Sequence, residues 1–107
     1  MTKISIYLGF CIRAGKIVFG TNRIESQKRA CLLIADGNLG KNSFKIMVKE
    51  QARLNCPLLV TENGVLGELT HRPTVKAVAI VDENLAMAII NEAKQKPQIK
   101  FYSGGEN

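Results

Sequence analysis

Uninterrupted apolar runs along the chain predict its strands. Three of them are Cys31–Ala35, Leu58–Val60 and Ala77–Val81, and a further short run is Ile17–Phe19. The first three are typical of central strands that are buried on both faces of a sheet, and the fourth is a short strand candidate. We therefore expect a sheet of about four strands.

Segments with apolar residues at helical spacing alternate with these strands and predict five helices. Their expected first residues or N-caps are Thr2, Asn22, Asn42 or Ser43, Glu62 and Asp82. Gly15 is expected to stop the first helix, and the second should end near Arg29. Alternation of helices and strands predicts an α/β fold in which helices cover both faces of the sheet.

The chain has 107 residues and 46% apolar content, enough for one domain with one core. We expect this single domain to span residues 1–97. Residues 98–107 follow Pro97 and end in the polar sequence SGGEN. We expect them to form a loosely ordered C-terminal tail.

Positive charge is concentrated in the first two-fifths of the chain. Residues 1–41 carry seven Lys and Arg against two acids, whereas residues 42–107 carry eight against seven. Such an asymmetry, in a chain of net charge +6, indicates a polyanionic partner such as a nucleic acid. A basic surface that has no partner is the alternative that charge alone leaves open.

The stretch Gly15–Lys28 combines a predicted helix start with several cations. Asn22 is expected to cap the helix, with Glu25 three residues later as in a capping box. The free N–H groups of a first helical turn attract anions. The basic residues around it are Lys16, Arg23, Lys28 and Arg29. We expect a nucleic-acid phosphate to bind here.

Cysteine and histidine usage predicts neither a metal site nor a cofactor. The three cysteines are widely spaced, and His71 is the single histidine. Cys11, Cys31 and Cys56 lie among apolar residues, as free buried thiols do, which favours a reducing cytoplasm.

The spacing of possible catalytic motifs disfavours an enzyme, and the length of the apolar segments disfavours a membrane protein. The loop at residues 37–43 contains Gly-Lys but has the wrong glycine spacing for a phosphate-binding loop. The serines lack a nucleophile-elbow pattern, and the apolar residues 4–12 are too few to span a bilayer. We therefore expect a protein that is not an enzyme and does not enter a membrane.

Two segments resemble the bacterial YlxQ-type proteins of the kink-turn-binding ribosomal protein family, which includes L-seven-Ae and L-thirty-e. They are LGFCIRAGKIVFGTN, residues 8–22, and LGELTHRPTVKAVAIVDENLAMAII, residues 66–90. The resemblance covers residues 4–92. It implies a three-layer α/β/α sandwich with a four-stranded mixed sheet, and binding to RNA that has a sharp internal bend.

The resemblance also implies where RNA binds. In that family a Gly-Ser/Thr-Asn-Glu stretch opens the RNA-reading helix, where its glycine and asparagine meet the bent backbone and tandem G·A pairs. Gly20–Arg23 matches this stretch, and His71–Val75 matches the loop that makes the second contact. The chain departs from the family at Arg23, where relatives often carry Glu or Gln, and at His71, where they often carry glycine. Its second helix is also about one turn short.

These arguments predict a monomeric, cytoplasmic RNA-binding protein whose partner is a structured RNA such as ribosomal RNA. The alternative is a protein-interaction module that keeps the fold without binding RNA. The residues expected to contact RNA are Lys16, Gly20, Thr21, Asn22, Arg23, Ser26, Lys28, His71, Arg72, Pro73, Thr74 and Val75.

Overall fold

The computed structural model describes residues 2–102, in which five helices alternate with five strands. The helices are α1 Lys3–Ala14, α2 Thr21–Glu25, α3 Lys41–Leu54, α4 Val65–Thr70 and α5 Glu83–Ala93. The strands are β1 Ile17–Phe19, β2 Leu32–Asp36, β3 Leu58–Thr61, β4 Ala77–Ile80 and β5 Ile99–Phe101. The four apolar runs thus form strands as predicted, with β2 displaced by one residue, β3 one residue longer and β4 one residue shorter.

The strands form one mixed sheet in the order β1-β4-β2-β3-β5. β2 and β3 run parallel, and the other neighbouring pairs are antiparallel. The expectation of four strands was therefore wrong, because β5 adds a fifth strand at one edge of the sheet.

The fifth strand comes from the segment predicted to be a loose tail. β5 pairs with β3, and the Tyr102 N–H donates to the Leu58 carbonyl at 2.8 Å. The tail prediction was wrong for Ile99–Phe101, and its last five residues, 103–107, lie outside the described part of the chain. Only Ile99 of β5 is buried, so this edge strand lacks the apolar run that marks a central strand.

Successive residues of β2 face opposite sides of the sheet, as the two-residue period of a strand requires. Leu32 and Ile34 join a buried cluster that contains side chains of α1, α4 and α5. Leu33 and Ala35 join a second buried cluster that contains side chains of α2 and α3. Helices therefore cover both faces of the sheet, as the alternating pattern predicted.

Some helix boundaries follow local capping chemistry, and others do not. Thr2 caps α1, Gly15 ends it at φ 68°, and the Asp82 carboxylate accepts from the Leu85 N–H at 2.8 Å to cap α5. These three predictions are confirmed. The predicted caps Asn42 and Ser43 were wrong, because α3 begins at Lys41 after Gly40. α4 begins at Val65, three residues later than predicted.

Candidate nucleic-acid interface

β1 ends and β4 begins at the same end of the sheet, which we call the Gly20 end. The Gly20 N–H donates to the Ala77 carbonyl at 2.9 Å, so the start of α2 lies beside the loop that precedes β4. β2 ends here as well, because the Asp36 N–H donates to the Lys76 carbonyl at 2.9 Å. The two segments predicted to contact RNA, 20–23 and 71–75, are therefore neighbours.

The opposite end of the sheet, which we call the Lys16 end, holds other predicted contacts. The Lys16 carbonyl accepts from the Val81 N–H at 2.9 Å, and the Cys31 N–H donates to the Ile80 carbonyl. The three residues of β1 lie between Lys16 and Gly20 in extended chain, which places the two Cα atoms about 13 Å apart. Lys28 lies on the segment that returns from α2 to this end. The structure thus does not group Lys16 and Lys28 with Gly20.

The second helix differs from its predicted form. α2 spans only Thr21–Glu25, its N-cap is Gly20, and no side chain caps it. The prediction that Asn22 caps a helix reaching Arg29 was wrong, and five residues are too few to supply the expected helix-terminus anion site. The Asn22 side chain is exposed within the first turn.

Tertiary contacts explain why α2 is short. Ser26 Oγ donates to the Arg23 carbonyl at 2.8 Å, and Arg53 of α3 donates to the carbonyls of Ile24 and Glu25 at 3.3 Å each. These donors occupy the last carbonyl groups of α2, which in a longer helix would accept from the N–H groups of the next turn. Ile24 is fully buried against α3 and anchors the helix. Ser26, a predicted RNA contact, therefore has a structural role at the helix end.

Gly20 has a backbone conformation that strongly favours glycine. Its φ of 89° and ψ of 148° lie in a region that residues with a Cβ rarely adopt. A Cβ there would meet no atom within 4 Å, so the surface above Gly20 is open. Open space over a backbone without a side chain lets another molecule approach closely.

The loop 71–75 contains a hydrogen-bonded turn. The Val75 N–H donates to the Arg72 carbonyl at 2.9 Å, which closes a four-residue turn with Pro73 in its second position. Val75 is half-buried and packs on the cluster beneath, whereas His71, Arg72, Pro73 and Thr74 are exposed. The loop therefore presents its polar groups outward from a fixed base.

Gly67 in α4 permits the close approach of this loop and was missed by the sequence reasoning. A Cβ on Gly67 would lie 3.1 Å from the Pro73 Cα and carbonyl oxygen, and 3.2 Å from the Arg72 carbonyl oxygen. All three neighbours are backbone atoms, which yield less readily than the end of a flexible side chain.

Gly67→Ala is therefore expected to destabilise the protein by about 1–3 kcal/mol through overpacking, and to displace the 71–75 loop. Gly9→Ala is the matched control, since a Cβ at this position in α1 would meet only the flexible Arg13 side chain at 3.5 Å. The control should stabilise the protein by about 0.5–1 kcal/mol, because alanine is the better helix former. Urea unfolding of both variants measures the difference, and equal changes would contradict this account.

His71 ends α4 in a left-handed conformation, with φ 57°. This conformation favours glycine, so the histidine carries some backbone strain. Ser5 Oγ of α1 donates to the Leu69 carbonyl at 2.9 Å and lies 3.4 Å from His71 Nε2. These contacts join the loop to α1.

Asp36 organises the Gly20 end and was not among the predicted functional residues. It is buried, and its carboxylate accepts from the N–H groups of Asn38, Gly64 and Leu66 and from the Thr61 hydroxyl, at 2.8–3.1 Å. The Gly64 and Leu66 groups belong to the start of α4, so Asp36 caps a helix whose own N-cap is a glycine. Burial raises the pKa of Asp36, but these hydrogen bonds outweigh it and hold the pKa below 3.8.

The exposed cations of the Gly20 end have no carboxylate partner among the described residues. Ion pairs within residues 2–102 join Lys3 to Glu92 and Arg53 to Glu50. Arg23, Arg72, Lys76 and Lys41 lie outside these pairs and are exposed on segments at or next to the Gly20 end. They are therefore accessible to an anion.

Two other kinds of site find no support in residues 2–102. This part of the chain contains no group of three or more His, Cys, Asp or Glu residues able to hold a metal ion. Its helices are also too short or too polar to cross a membrane.

Comparisons with known proteins bear on the fold. No family model matches the chain, and no curated protein matches it. The solved structure of a protein with unknown function from Bacillus halodurans is similar, with a TM-score of 0.72. The two chains share 17% identity, over 85% of this chain and 96% of that one. The chain thus has a mixed α/β fold with a solved structural neighbour.

Proposed function

We propose that this protein binds structured RNA containing a sharp bend, through the Gly20 end of the sheet. The observation that carries the proposal is the hydrogen bond from the Gly20 N–H to the Ala77 carbonyl. It makes neighbours of two segments, 20–23 and 71–75, that resemble the two RNA contacts of the kink-turn-binding family. No charge pattern by itself would specify that pairing.

Each group at this end has a distinct part in the proposed complex. Gly20 admits the bent backbone, and the exposed Asn22 amide supplies both donors and an acceptor for base edges. Arg23 neutralises a phosphate, and Thr21 and Thr74 hydrogen-bond to sugar or phosphate. RNA with unstacked or non-canonical pairs exposes the edges that such groups read.

The proposal includes the finer features that the resemblance implies. The buried clusters on both faces of the sheet support a three-layer α/β/α sandwich, here with five strands. We also propose that the protein is a cytoplasmic monomer and that it binds RNA without catalysis or a cofactor. Ribosomal RNA is a candidate partner. The excess of exposed cations over acids supports a polyanionic partner.

The test is binding to an RNA duplex that carries a bulge followed by tandem G·A pairs, with a plain duplex of equal length as comparison. The parent protein should prefer the bent RNA, and the logarithm of its affinity should fall linearly with the logarithm of salt concentration. Each phosphate neutralised contributes a slope of roughly 0.7–0.9.

Arg23→Ala should reduce that slope by roughly one phosphate contact, and Lys16→Ala should leave it unchanged because Lys16 lies at the other end of the sheet. Fluorescence anisotropy between 50 and 200 mM salt is a suitable measurement. Equal affinity for the two RNAs, or equal effects of the two substitutions, would refute binding at the Gly20 end. Absence of RNA binding would favour a protein-interaction module.

A further inference from the structure

The side chain of Arg72 is stacked on an aromatic ring from another element. Its guanidinium carbon Cζ lies over the Phe19 ring, 4.7 Å from the ring centroid. Phe19 is the last residue of β1, and Arg72 belongs to the turn that precedes β4. A cation within about 6 Å of a ring face is attracted by the ring quadrupole. The contact therefore joins the two segments proposed to bind RNA.

Both partners of this stack are held in place. Phe19 is half-buried, packs on the core cluster, and pairs with Val78 across the sheet. The Arg72 N–H donates to the Gly67 carbonyl at 3.0 Å, and its own carbonyl accepts from Val75. The guanidinium thus extends from a fixed backbone onto a fixed platform, which reduces the conformational entropy lost when it binds a ligand.

A guanidinium whose face is occupied still offers the N–H donors along its edge. Those donors form a rigid planar fork that accommodates two acceptor atoms at once. In RNA, a phosphate with two free oxygens and the O6/N7 edge of guanine both provide such a pair of acceptors.

We infer that Phe19 is a positioning residue, which holds the Arg72 guanidinium so that its edge binds a two-acceptor group of the RNA. The inference rests on the proposed function and adds the chemistry that Arg72 recognises.

The chain offers a matched control in a second stack. Arg13 lies over the Phe10 ring at 5.1 Å, and both residues belong to α1. α1 ends at Ala14, next to the Lys16 end of the sheet, and therefore away from the proposed RNA site. Phe10→Leu removes a comparable ring without altering the Gly20 end.

The experiment is a double-mutant cycle of Phe19→Leu and Arg72→Ala, with the bulged G·A duplex as the probe. Phe19→Leu should weaken binding roughly 3- to 10-fold in the parent, and should have no effect when Arg72 is already alanine. Arg72→Lys keeps the charge but loses the fork, so it should weaken binding nearly as much as Arg72→Ala. Phe10→Leu should change nothing.

Two further arms identify the acceptor. If Arg72 binds a phosphate, Arg72→Ala should lower the salt slope by roughly 0.7–0.9. If it binds guanine, 7-deazaguanine in the tandem pairs should weaken binding of the parent but not of Arg72→Ala, with the slope unchanged. Either result supports the inference, and no effect in both arms contradicts it.

A readout on the free protein tests the stack without RNA. The Arg72 δ-protons should resonate upfield in the parent because they lie near the ring, and should return to ordinary shifts in Phe19→Leu. Ordinary shifts in the parent, or independent effects of the two substitutions on binding, would overturn the positioning role. If the parent binds no RNA, the proposed function fails and the inference with it. If the parent binds without coupling between the two residues, the inference alone fails.

Discussion

Asp36→Asn is expected to lower the free energy of unfolding by about 2–4 kcal/mol. The amide can turn its oxygen toward Asn38 and Gly64 or toward Leu66, but not toward both sides. At least one of the three N–H groups then loses its acceptor, and the remaining bonds lose the strength that a charged acceptor provides. The melting temperature should fall by roughly 10–25 °C, measurable by circular dichroism.

Asp82→Asn is the control for this substitution. Asp82 makes the same kind of bond to a helix start, but it accepts a single capping N–H, from Leu85. Asparagine is an equally good N-cap, so the control should lose only a few tenths of a kcal/mol. Similar losses in the two variants would mean that Asp36 is an ordinary helix cap and does not organise several segments.

The contribution of Asp36 to the free energy of unfolding should depend on pH. The pKa of Asp36 in the folded protein lies below the ordinary value of an aspartate, which applies in the unfolded chain, so ionised Asp36 stabilises the fold. This contribution is fully present above that value and is lost as the pH falls through the folded-state pKa. The stability gap between the parent and Asp36→Asn should therefore be constant near neutral pH and narrow below about pH 4. Urea unfolding at several pH values tests this, and a gap that widens in acid would contradict it.

Asn22→Asp is expected to weaken binding to the bulged G·A duplex by roughly 10- to 100-fold while leaving the fold intact. The change replaces an amide, which donates and accepts, with a carboxylate that only accepts and repels phosphate. Asn22 is exposed and does not cap α2, so stability should change by less than about 0.5 kcal/mol. Anisotropy and thermal melting of the same preparation measure both quantities.

Asn84→Asp supplies the matched control. Asn84 is also an exposed asparagine in the first turn of a helix, but α5 starts after β4 ends, at the Lys16 end of the sheet. It introduces the same negative charge far from the proposed site, so it should reduce affinity only slightly through long-range repulsion. If the two variants bind equally well, Asn22 does not contact the RNA.

Much of the architecture could be predicted because its causes are local. A central strand that is buried on both faces needs a short apolar run, and the edge strand β1 also carries one, so β1 to β4 are visible in the sequence. A side-chain N-cap and a C-terminal glycine in the left-handed conformation each bond to groups within one helical turn. Thr2, Asp82 and Gly15 therefore mark helix ends correctly. No local pattern indicates that segments 20–23 and 71–75 belong together, because nearly half of the chain lies between them; a family resemblance singled them out.

Among the predictions that were wrong are those for β5 and α2, whose bounds depend on contacts with distant parts of the chain. The edge strand β5 has one buried side chain, so its pairing depends on the free edge of β3 more than on its own sequence. α2 ends early because Arg53, far along the chain, donates to its last carbonyl groups. No periodicity within α2 could reveal a donor that approaches from α3.

The sequence by itself determined the alternation of helices and strands, the central strands and the uneven distribution of positive charge. Only the tertiary structure decided which cations lie together, because the pairing of β1 with β4 brings Arg72 and Lys76 to the end of the sheet that holds Arg23. It also decided that Asp36 caps α4 and that Arg72 stacks on Phe19. Those contacts join residues distant in the chain, and their geometry arises only when the sheet brings strand ends together.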